Sequence, residues 1–259
     1  MKRLIAGSAA AAAAAVWAAT AVAATTIVVT PTNTQGWSTA DTRPGGNVSF
    51  VTDSTAPAGV GALQLTTDAT IAAKAQYMHD ANVALADANE LGYSTKQNAG
   101  PPVADPSYQL AVDLNGAADG GFTTLVYEPY WNGAVVPGAW QQWDVASGSF
   151  WSSRTVTCSN GTVTAGAGGP PLYTLQEIES TCPEAVVVGF GVNVGSDNPG
   201  YDVETDLVGF AGTTYDFEPY AAATAKDQCK DGGWVSVTRA DGSSFANQGD
   251  CIQYVNTGK

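Results

Sequence analysis

Short stretches in which apolar and polar residues alternate recur along most of this chain. Such alternation predicts β-strands with one buried face, because successive side chains of a strand point to opposite sides of a sheet. Clusters of Gly, Pro, Asn and Asp, which are typical turn residues, separate the stretches. We predict strands at residues 63–67, 74–79, 90–96, 108–114, 122–130, 140–145, 150–155, 186–194, 205–210 and 213–217.

About ten short strands joined by turns indicate an all-β protein, either a β-sandwich or a barrel. One short helix is predicted at residues 174–180, where Leu175 and Ile178 lie on one helical face and Pro183 follows. The Ala-rich segment 71–89 has helical propensity. Because polar and apolar residues alternate within it, we interpret this segment as strand and turn.

The first 24 residues have the pattern of a secretory signal peptide. Lys2 and Arg3 precede an Ala-rich stretch that ends in a small-x-small pattern at Ala23, as a signal peptidase requires. The alternative is an uncleaved anchor, which the weak hydrophobicity of alanine disfavours. No later apolar run approaches the length of about 18 residues that a membrane span needs. We therefore expect a secreted protein, located outside the cell or in the cell envelope, with no membrane span after cleavage.

The chain is strongly acidic, with a formal net charge of −14 and an isoelectric point near 4.1. Loss of Lys2 and Arg3 with the signal peptide changes the net charge to −16. Proteins bind nucleic acids largely by neutralising phosphates with Lys and Arg, so this charge excludes a nucleic-acid-binding function. The same repulsion argues against acidic glycans and favours neutral or cationic ones.

Four cysteines follow the signal peptide, and an even number in an exported chain predicts two disulfides. Three pairings are possible. We favour Cys158 with Cys182 and Cys229 with Cys251, because each pair closes a short local loop within one compositional segment. Structural zinc is not expected, because the chain has neither CxxC spacing nor His residues near the cysteines.

The charge distribution divides the chain after Tyr220. Residues 221–259 contain equal numbers of cations and anions, so the whole net negative charge lies in residues 25–220. We predict three segments: the signal peptide (1–24), a β-sandwich domain (25–220) and a C-terminal module (221–259). The last segment is too small to fold on an apolar core alone, so its disulfide would act as a staple.

A resemblance supports this division. The segments TTLVYEPYW, WQQWDV, GSFWSS, TLQEIEST, VVVGFGVNVGSDNPG and ETDLVGFAGTTYDFEPY resemble those of secreted bacterial jelly-roll proteins of the concanavalin-like or carbohydrate-binding-module kind. The resemblance covers roughly residues 30–220 and implies a lectin-like jelly-roll sandwich without naming a ligand. The segments KDQCKDGGW and SFANQGDCIQYV are similar to a small C-terminal module found at the ends of many exported bacterial proteins.

Aromatic residues are concentrated between residues 127 and 151, far above the 9% average of the chain. One interpretation assigns most of these rings to the core. The alternative is that two or three line a glycan groove, because rings stack on the C–H face of a sugar while polar neighbours bind its hydroxyls. The candidate ligand-binding residues are Glu128, Tyr130, Trp131, Trp140, Gln142, Trp143 and Asp144.

Asp202, Glu204 and Asp206 alternate along one predicted strand and would share one face. They form either a solvated acidic edge or a calcium site, since oxygen ligands suit this hard cation. Calcium is the one cofactor we consider. The segment from Glu204 to Gly209 also resembles the ExDxxE strand of a jelly-roll glycosidase family, but Gly209 stands where that pattern has its final Glu.

These observations favour a secreted lectin-like or adhesive module that binds a neutral polysaccharide or a cell-envelope component without catalysis. The first alternative is a glycoside-active enzyme, for which Glu128 and Glu218 are the best carboxyl pair because each lies in an aromatic strand before Pro-Tyr. The second alternative is a structural cell-surface protein without a small ligand. An enzyme needs two carboxyl groups across an open groove, whereas a binding module needs exposed rings only.

Overall fold

The computed structural model describes residues 25–259, so the predicted signal peptide lies outside the described residues. Two seven-stranded sheets form a β-sandwich with a small additional hairpin. The predicted all-β, jelly-roll sandwich class is therefore confirmed. Within the described part of the chain, no helix combines the length and hydropathy that crossing a membrane requires.

The first sheet is organised around one long central strand. Its strands are β1 (Thr25–Val29), β3 (Gly46–Thr52), β4 (Gly61–Thr67), β6 (Gly92–Ala99), β9 (Gln141–Asp144), β15 (Asp202–Phe210) and β16 (Thr213–Phe217). Strand β15 pairs with β6 along one edge, and with β4 and then β16 along the other. The first strand, β1, runs parallel to β16.

The second sheet has the order β13-β10-β8-β7-β14-β5-β2, and its registered neighbours are antiparallel. Its strands are β2 (Trp37–Ser38), β5 (Ala75–Ala84), β7 (Ser107–Asp113), β8 (Phe122–Tyr127), β10 (Ser149–Ser152), β13 (Tyr173–Thr174) and β14 (Val186–Val194). Strands β11 (Val156–Cys158) and β12 (Gly161–Val163) form the separate hairpin.

Within residues 25–259, five short α-helices accompany the sheets: α1 (Gly116–Asp119), α2 (Pro129–Asn132), α3 (Leu175–Thr181), α4 (Lys226–Cys229) and α5 (Gln248–Thr257). Two 3-10 turns lie at Leu85–Asp87 and Gly233–Ser236. The predicted helix is confirmed as α3, which begins with a capping box between Thr174 and Glu177. Helix α5 was not predicted, because its sequence has no strong apolar period.

The alternation of side chains explains how the two sheets pack. In β7, Tyr108, Leu110 and Val112 are fully buried and face the space between the sheets. Leu63 and Leu65 of β4 in the first sheet belong to the same apolar core. Complete burial of such a side chain contributes about 1.5–3 kcal/mol, so this shared interior holds the sandwich together.

The predicted strand 122–130 is too long by three residues. Strand β8 ends at Tyr127, and Pro129 occupies the first turn of α2. Proline has no N–H group for the ladder of a sheet and is well suited to the start of a helix. Tyr130 and Trp131 therefore lie on a helical turn, and the strand alternation assumed for them does not apply.

Both predicted disulfides are confirmed. Cys158–Cys182 joins β11 to the residue after α3, and Cys229–Cys251 joins α4 to α5. The second disulfide, together with Ala223 and Phe245, forms an apolar cluster separate from the core of the sandwich. This cluster is small, so the cross-link supplies a large share of its stability.

Replacement of Cys229 and Cys251 by Ala should destabilise the C-terminal region selectively. The bond spans 22 residues, for which the loop-entropy model gives roughly 3 kcal/mol. Hydrogen–deuterium exchange should show α5 losing protection while β7 and β14 keep theirs. Equal loss of protection in both sheets would contradict an independent role for this cluster.

Candidate functional site

A cavity of about 710 Å³ lies on the outer face of the second sheet. Its floor exists because the residues of β7 that alternate with the buried core positions point outward. The adjacent strands β8, β10 and β14 contribute outward side chains in the same way. The floor consists of Ser107, Gln109, Thr124, Val126, Trp151 and Asn193.

Loops and strand ends form the walls of this cavity. The loop that follows β14 supplies residues 194–198, and the Gly-rich loop after β12 supplies residues 166–168. Arg43 and Lys74 lie at the wall as well, but each has a partner: Arg43 donates to Ser196 Oγ at 2.8 Å, and Lys74 pairs with Asp41. The remaining wall contains Asp105, Glu128, Tyr130 and Tyr201.

Glu128 is the central acidic group of the wall. It follows β8 directly, at the point where Pro129 turns the chain away from the sheet. Burial raises the pKa of its carboxyl to about 8, and the nearby Trp151 indole opposes that rise only in part. The negative charge of Glu128 in turn contributes to the raised pKa values of Tyr130 and Tyr201, which places both rings near the carboxyl.

Two buried polar atoms at the cavity have no described hydrogen-bond partner. Trp151 Nε1 lies near Glu128 without hydrogen-bond geometry to it, and Asp105 Oδ1 is likewise unpartnered. The other oxygen of Asp105 accepts a bond from Thr95 Oγ1. Burial raises the pKa of Asp105 to about 7. Both atoms are shielded from solvent, so they lie behind the surface of the cavity and are not exposed to it.

Two exposed rings extend the cavity outward. Tyr130 and Trp131 are 38% and 43% exposed, and their centroids lie 5.5 Å apart. Tyr130 Oη and Trp131 Nε1 both donate to the carbonyl oxygen of Gly168, at 3.1 and 2.9 Å. A Cβ on Gly169 would lie 2.9 Å from the Trp131 ring, so glycine allows this close contact. We call Tyr130 and Trp131 the aromatic platform.

The structure separates the other predicted ligand-binding residues from this cavity. Trp143 is only 8% exposed and belongs to the core, where its Nε1 donates to Thr95 Oγ1 at 2.8 Å. Gln142 and Asp144 are exposed on β9 of the first sheet. Trp140 Nε1 donates to Asp53 Oδ2 at 3.0 Å on the outer side of that sheet. Of the predicted set, only Glu128, Tyr130 and Trp131 lie together.

Sequence reasoning missed much of the cavity. Asp105 and Tyr201 lie in loops that have no motif, and Asn193 occupies an unremarkable position in a glycine-containing strand. Trp151 was visible in the aromatic cluster, but nothing in the sequence distinguished it from its core neighbours. Only the tertiary structure brings these residues together with Glu128.

The acidic residues of β15 are not a solvated edge, so that interpretation is wrong. Glu204 and Asp206 are 6% and 0% exposed. Lys96 of β6 pairs with Asp53, and its Nζ lies 2.8 Å from Glu204 Oε2. A lysine therefore occupies the position next to Glu204 where a bound cation would otherwise balance the charge.

Asp202 lies at the start of the same strand, where its Oδ1 accepts a bond from Gln64 Nε2 at 2.8 Å. Within residues 25–259, no three His, Cys, Asp or Glu side chains are arranged to hold a metal ion. Calcium at Asp202, Glu204 and Asp206 stays a prediction, which the effect of EDTA on the melting temperature would test.

Asp206 belongs to a second, buried acidic group together with Asp216 and Glu218. Glu218 is fully buried and accepts a bond from the Val60 amide at 3.0 Å. Burial and the neighbouring Asp216 raise the pKa of Glu218 to about 8, and burial raises that of Asp216 to about 6. A Cβ on Gly59 would lie 1.5 Å from Glu218 Oε1, so glycine is required there.

The carboxyl pair suggested for glycoside hydrolysis is not assembled. Glu128 lines the cavity on the second sheet, whereas Glu218 follows β16 of the first sheet. The surroundings of Glu218 are Val60, Asp216 and Gly242 of the C-terminal segment. These two glutamates therefore do not face a common groove.

The chain matches no model of a known protein family and no curated protein sequence. Its fold is similar to part of an arabinose-bound α-L-arabinofuranosidase, with 8% identity over 70% of this chain and 23% of the other, at a TM-score of 0.34.

A second similar structure contains the carbohydrate-binding and glycoside hydrolase modules of endo-1,4-β-D-xylanase 10B from Clostridium thermocellum, complexed with xylohexaose. The identity is 12% over 67% of this chain and 26% of the other, at a TM-score of 0.30. The chain thus spans about a quarter of the length of each of these proteins. At this level the similarity carries no argument about activity.

Lys96→Met should lower the free energy of unfolding by about 3 kcal/mol, because removal of one partner leaves the buried charges of Asp53 and Glu204 uncompensated. Lys230→Met is the matched control, since Lys230 forms an exposed pair with Asp227 and should cost less than about 1 kcal/mol. Urea denaturation measures both variants. Equal losses would show that the Lys96 network contributes no more than a surface ion pair.

Stability should decrease as the pH rises from about 5 to 8. In the unfolded chain Asp216 and Glu218 titrate near pH 4, so between about pH 4 and 8 the folded state binds more protons. Their stabilising contribution is complete below the unfolded pKa values and is lost as the pH rises through the folded ones.

Glu218→Gln should reduce this pH slope, whereas Glu184→Gln, a change at an exposed position, should leave it as in the wild type. Asp105 and Glu128 also make stability fall as the pH rises. The measurement is therefore the difference in the pH slope of stability between the variant and the wild type. Identical slopes for Glu218→Gln and wild type, in thermal melts at pH 5 to 8, would contradict the role of the buried group.

Proposed function

We propose that this protein is an exported carbohydrate-binding protein and that its binding site is the cavity on the second sheet. The observation that carries this proposal is the combination of aromatic rings with acidic and uncharged polar side chains in the lining of one cavity. Trp151 and Tyr201 line it beside Glu128 and Asp105. Its volume of about 710 Å³ lies in the range of small-ligand sites.

A sugar can contact both the aromatic rings and the polar side chains of this cavity. The C–H face of a pyranose packs on an aromatic ring, and its hydroxyl groups donate and accept hydrogen bonds. The floor offers uncharged polar side chains for the latter, including Ser107, Gln109 and Asn193. A purely apolar ligand would leave these polar side chains of the floor without partners.

The aromatic platform favours a polymer over a single sugar. Tyr130 lines the cavity, and the Trp131 side chain next to it is 43% exposed. A chain seated in the cavity would continue across the platform and stack a further unit there. Ligands of this kind are extracellular polysaccharides and cell-envelope glycans without acidic groups.

Export is part of the same proposal. The two disulfides are compatible with an extracellular protein. The predicted signal peptide would direct the chain to the secretory pathway. The C-terminal module (221–259) would then be a separate unit attached to the binding domain, with a function of its own.

Glycoside hydrolysis is a second candidate, because Asp105 and Glu128 line one cavity and both have raised pKa values. The position of Asp105 favours binding instead. Its Oδ2 accepts a bond from Thr95, and its Oδ1 is shielded from solvent. A carboxyl group held in this way is less suited than an exposed one to act as a nucleophile or a base, which favours binding over hydrolysis.

Tyr130→Ala and Trp131→Ala should each weaken polysaccharide binding about fivefold without changing the melting temperature, because a stacked ring contributes on the order of 1 kcal/mol. Trp143→Ala should instead destabilise the fold by about 3–5 kcal/mol, because that ring is in the core. Calorimetry with gluco-, xylo- and N-acetylchito-oligosaccharides measures affinity, and thermal melts report folding.

A panel in which no oligosaccharide binds the wild type would contradict the proposed function. Unchanged affinity in Tyr130→Ala would exclude the platform, because this residue lines the cavity itself.

A further inference from the structure

The charged side chains around the cavity differ in whether another residue of the protein already binds them. Its two cations are occupied, because Lys74 pairs with Asp41 and Arg43 donates to Ser196. The carboxyl of Glu128, in contrast, has no cationic partner among residues 25–259, and the Trp151 indole is the donor beside it. A ligand that enters the cavity therefore meets a carboxyl group without a cationic partner, together with Asp105 and Asp197 of the same lining.

Aromatic rings surround this carboxyl. Tyr130 and Tyr201 lie near enough for the charge of Glu128 to affect their hydroxyl groups, and Trp151 lies on the cavity floor beside it. Faces of aromatic rings attract cations, most strongly where water is excluded. A carboxyl group enclosed by rings is thus a site for a positively charged group.

We infer that the cavity selects glycans with free amino groups, such as glucosamine oligomers, and that Glu128 binds the ammonium group. This inference rests on the proposed carbohydrate-binding function. The amino sugar would place its ring against Trp151 or Tyr130 and its ammonium group at Glu128. Acetylation of the nitrogen would remove the charge and, with it, the preference.

The chemistry of Glu128 supports an ammonium ligand over a hydroxyl. Without a ligand, burial favours the neutral carboxylic acid. An ammonium group nearby stabilises the carboxylate, and the two charges then neutralise each other in the buried site. A hydroxyl group gives no such compensation, so a neutral sugar would gain only an ordinary hydrogen bond there.

The attraction of a cationic ligand to the net negative charge of the protein must be distinguished from its binding at Glu128. A chain at −16 attracts any cationic oligosaccharide through long-range forces. The matched control is Asp80→Asn, which removes one negative charge from an exposed position on β5 outside the cavity. Glu128→Gln conserves the shape of the side chain but cannot form the carboxylate that a bound ammonium group would stabilise.

The experiment is calorimetric titration of the mature chain with glucosamine hexamer, N-acetylglucosamine hexamer and cellohexaose at pH 7. We expect the glucosamine hexamer to bind the wild type and Asp80→Asn at least tenfold more tightly than the two neutral hexamers. In Glu128→Gln this preference should fall to less than threefold, while the affinity for the neutral hexamers stays within about twofold. Thermal melts establish that each variant is folded.

The possible failures are distinct. Equal affinity of the wild type for charged and neutral hexamers overturns the inference and leaves the proposed function in place. A preference that survives in Glu128→Gln also overturns it, because the net charge or the other acidic residues of the cavity, Asp105 and Asp197, would then be the cause. Absence of binding to all three hexamers contradicts the proposed function itself. If Glu128→Gln does not fold, the preference of Tyr130→Leu and Trp151→Leu decides, since removal of an aromatic ring from the cavity should reduce the preference for the charged hexamer only where the ring contacts the ammonium group.

Discussion

The packing of two sheets on one apolar interior is the constraint on which the rest of this structure depends. Every strand of the second sheet must point alternate side chains inward, where Tyr108, Leu110 and Val112 are fully buried. The residues between them are forced outward, and four adjacent strands place such residues side by side. The cavity floor is thus a consequence of the same register that builds the core.

Burial of acidic groups is the second recurring feature of the molecule, and it takes three forms. Glu204 is neutralised by Lys96, which makes an ion pair within the fold. Asp216 and Glu218 lie together without a cation among their described contacts, so protonation stabilises them and alkaline pH opposes folding. Glu128 is the third form: it has no cationic partner, and it opens to a cavity. A ligand in the cavity can compensate this last group, whereas Glu204, Asp216 and Glu218 are not part of the cavity lining.

Much of the fold was predictable from local patterns. Most of the predicted strands, helix α3 and both disulfides are present, because period-two alternation, a capping box and short cysteine spacing depend on neighbouring residues. The edge strands β1 and β3 were missed although TTIVV consists of β-branched residues and GNVSFVT alternates apolar and polar residues, and helix α5 was missed because its sequence has no strong apolar period. The strand predicted at 122–130 was too long, because a single proline ends a strand even within a run of aromatic residues.

The sequence by itself determined that the chain is an acidic, disulfide-linked β-sandwich with aromatic residues gathered between positions 127 and 151. Only the tertiary structure decided which of those rings are functional candidates. Trp143 and Trp131 are similar in sequence context, yet one lies in the core and the other on an exposed turn. The physical reason is that burial depends on which strands become neighbours. Tyr201 and Asp105 reach Glu128 through pairings between segments distant in sequence, and no local pattern encodes those pairings.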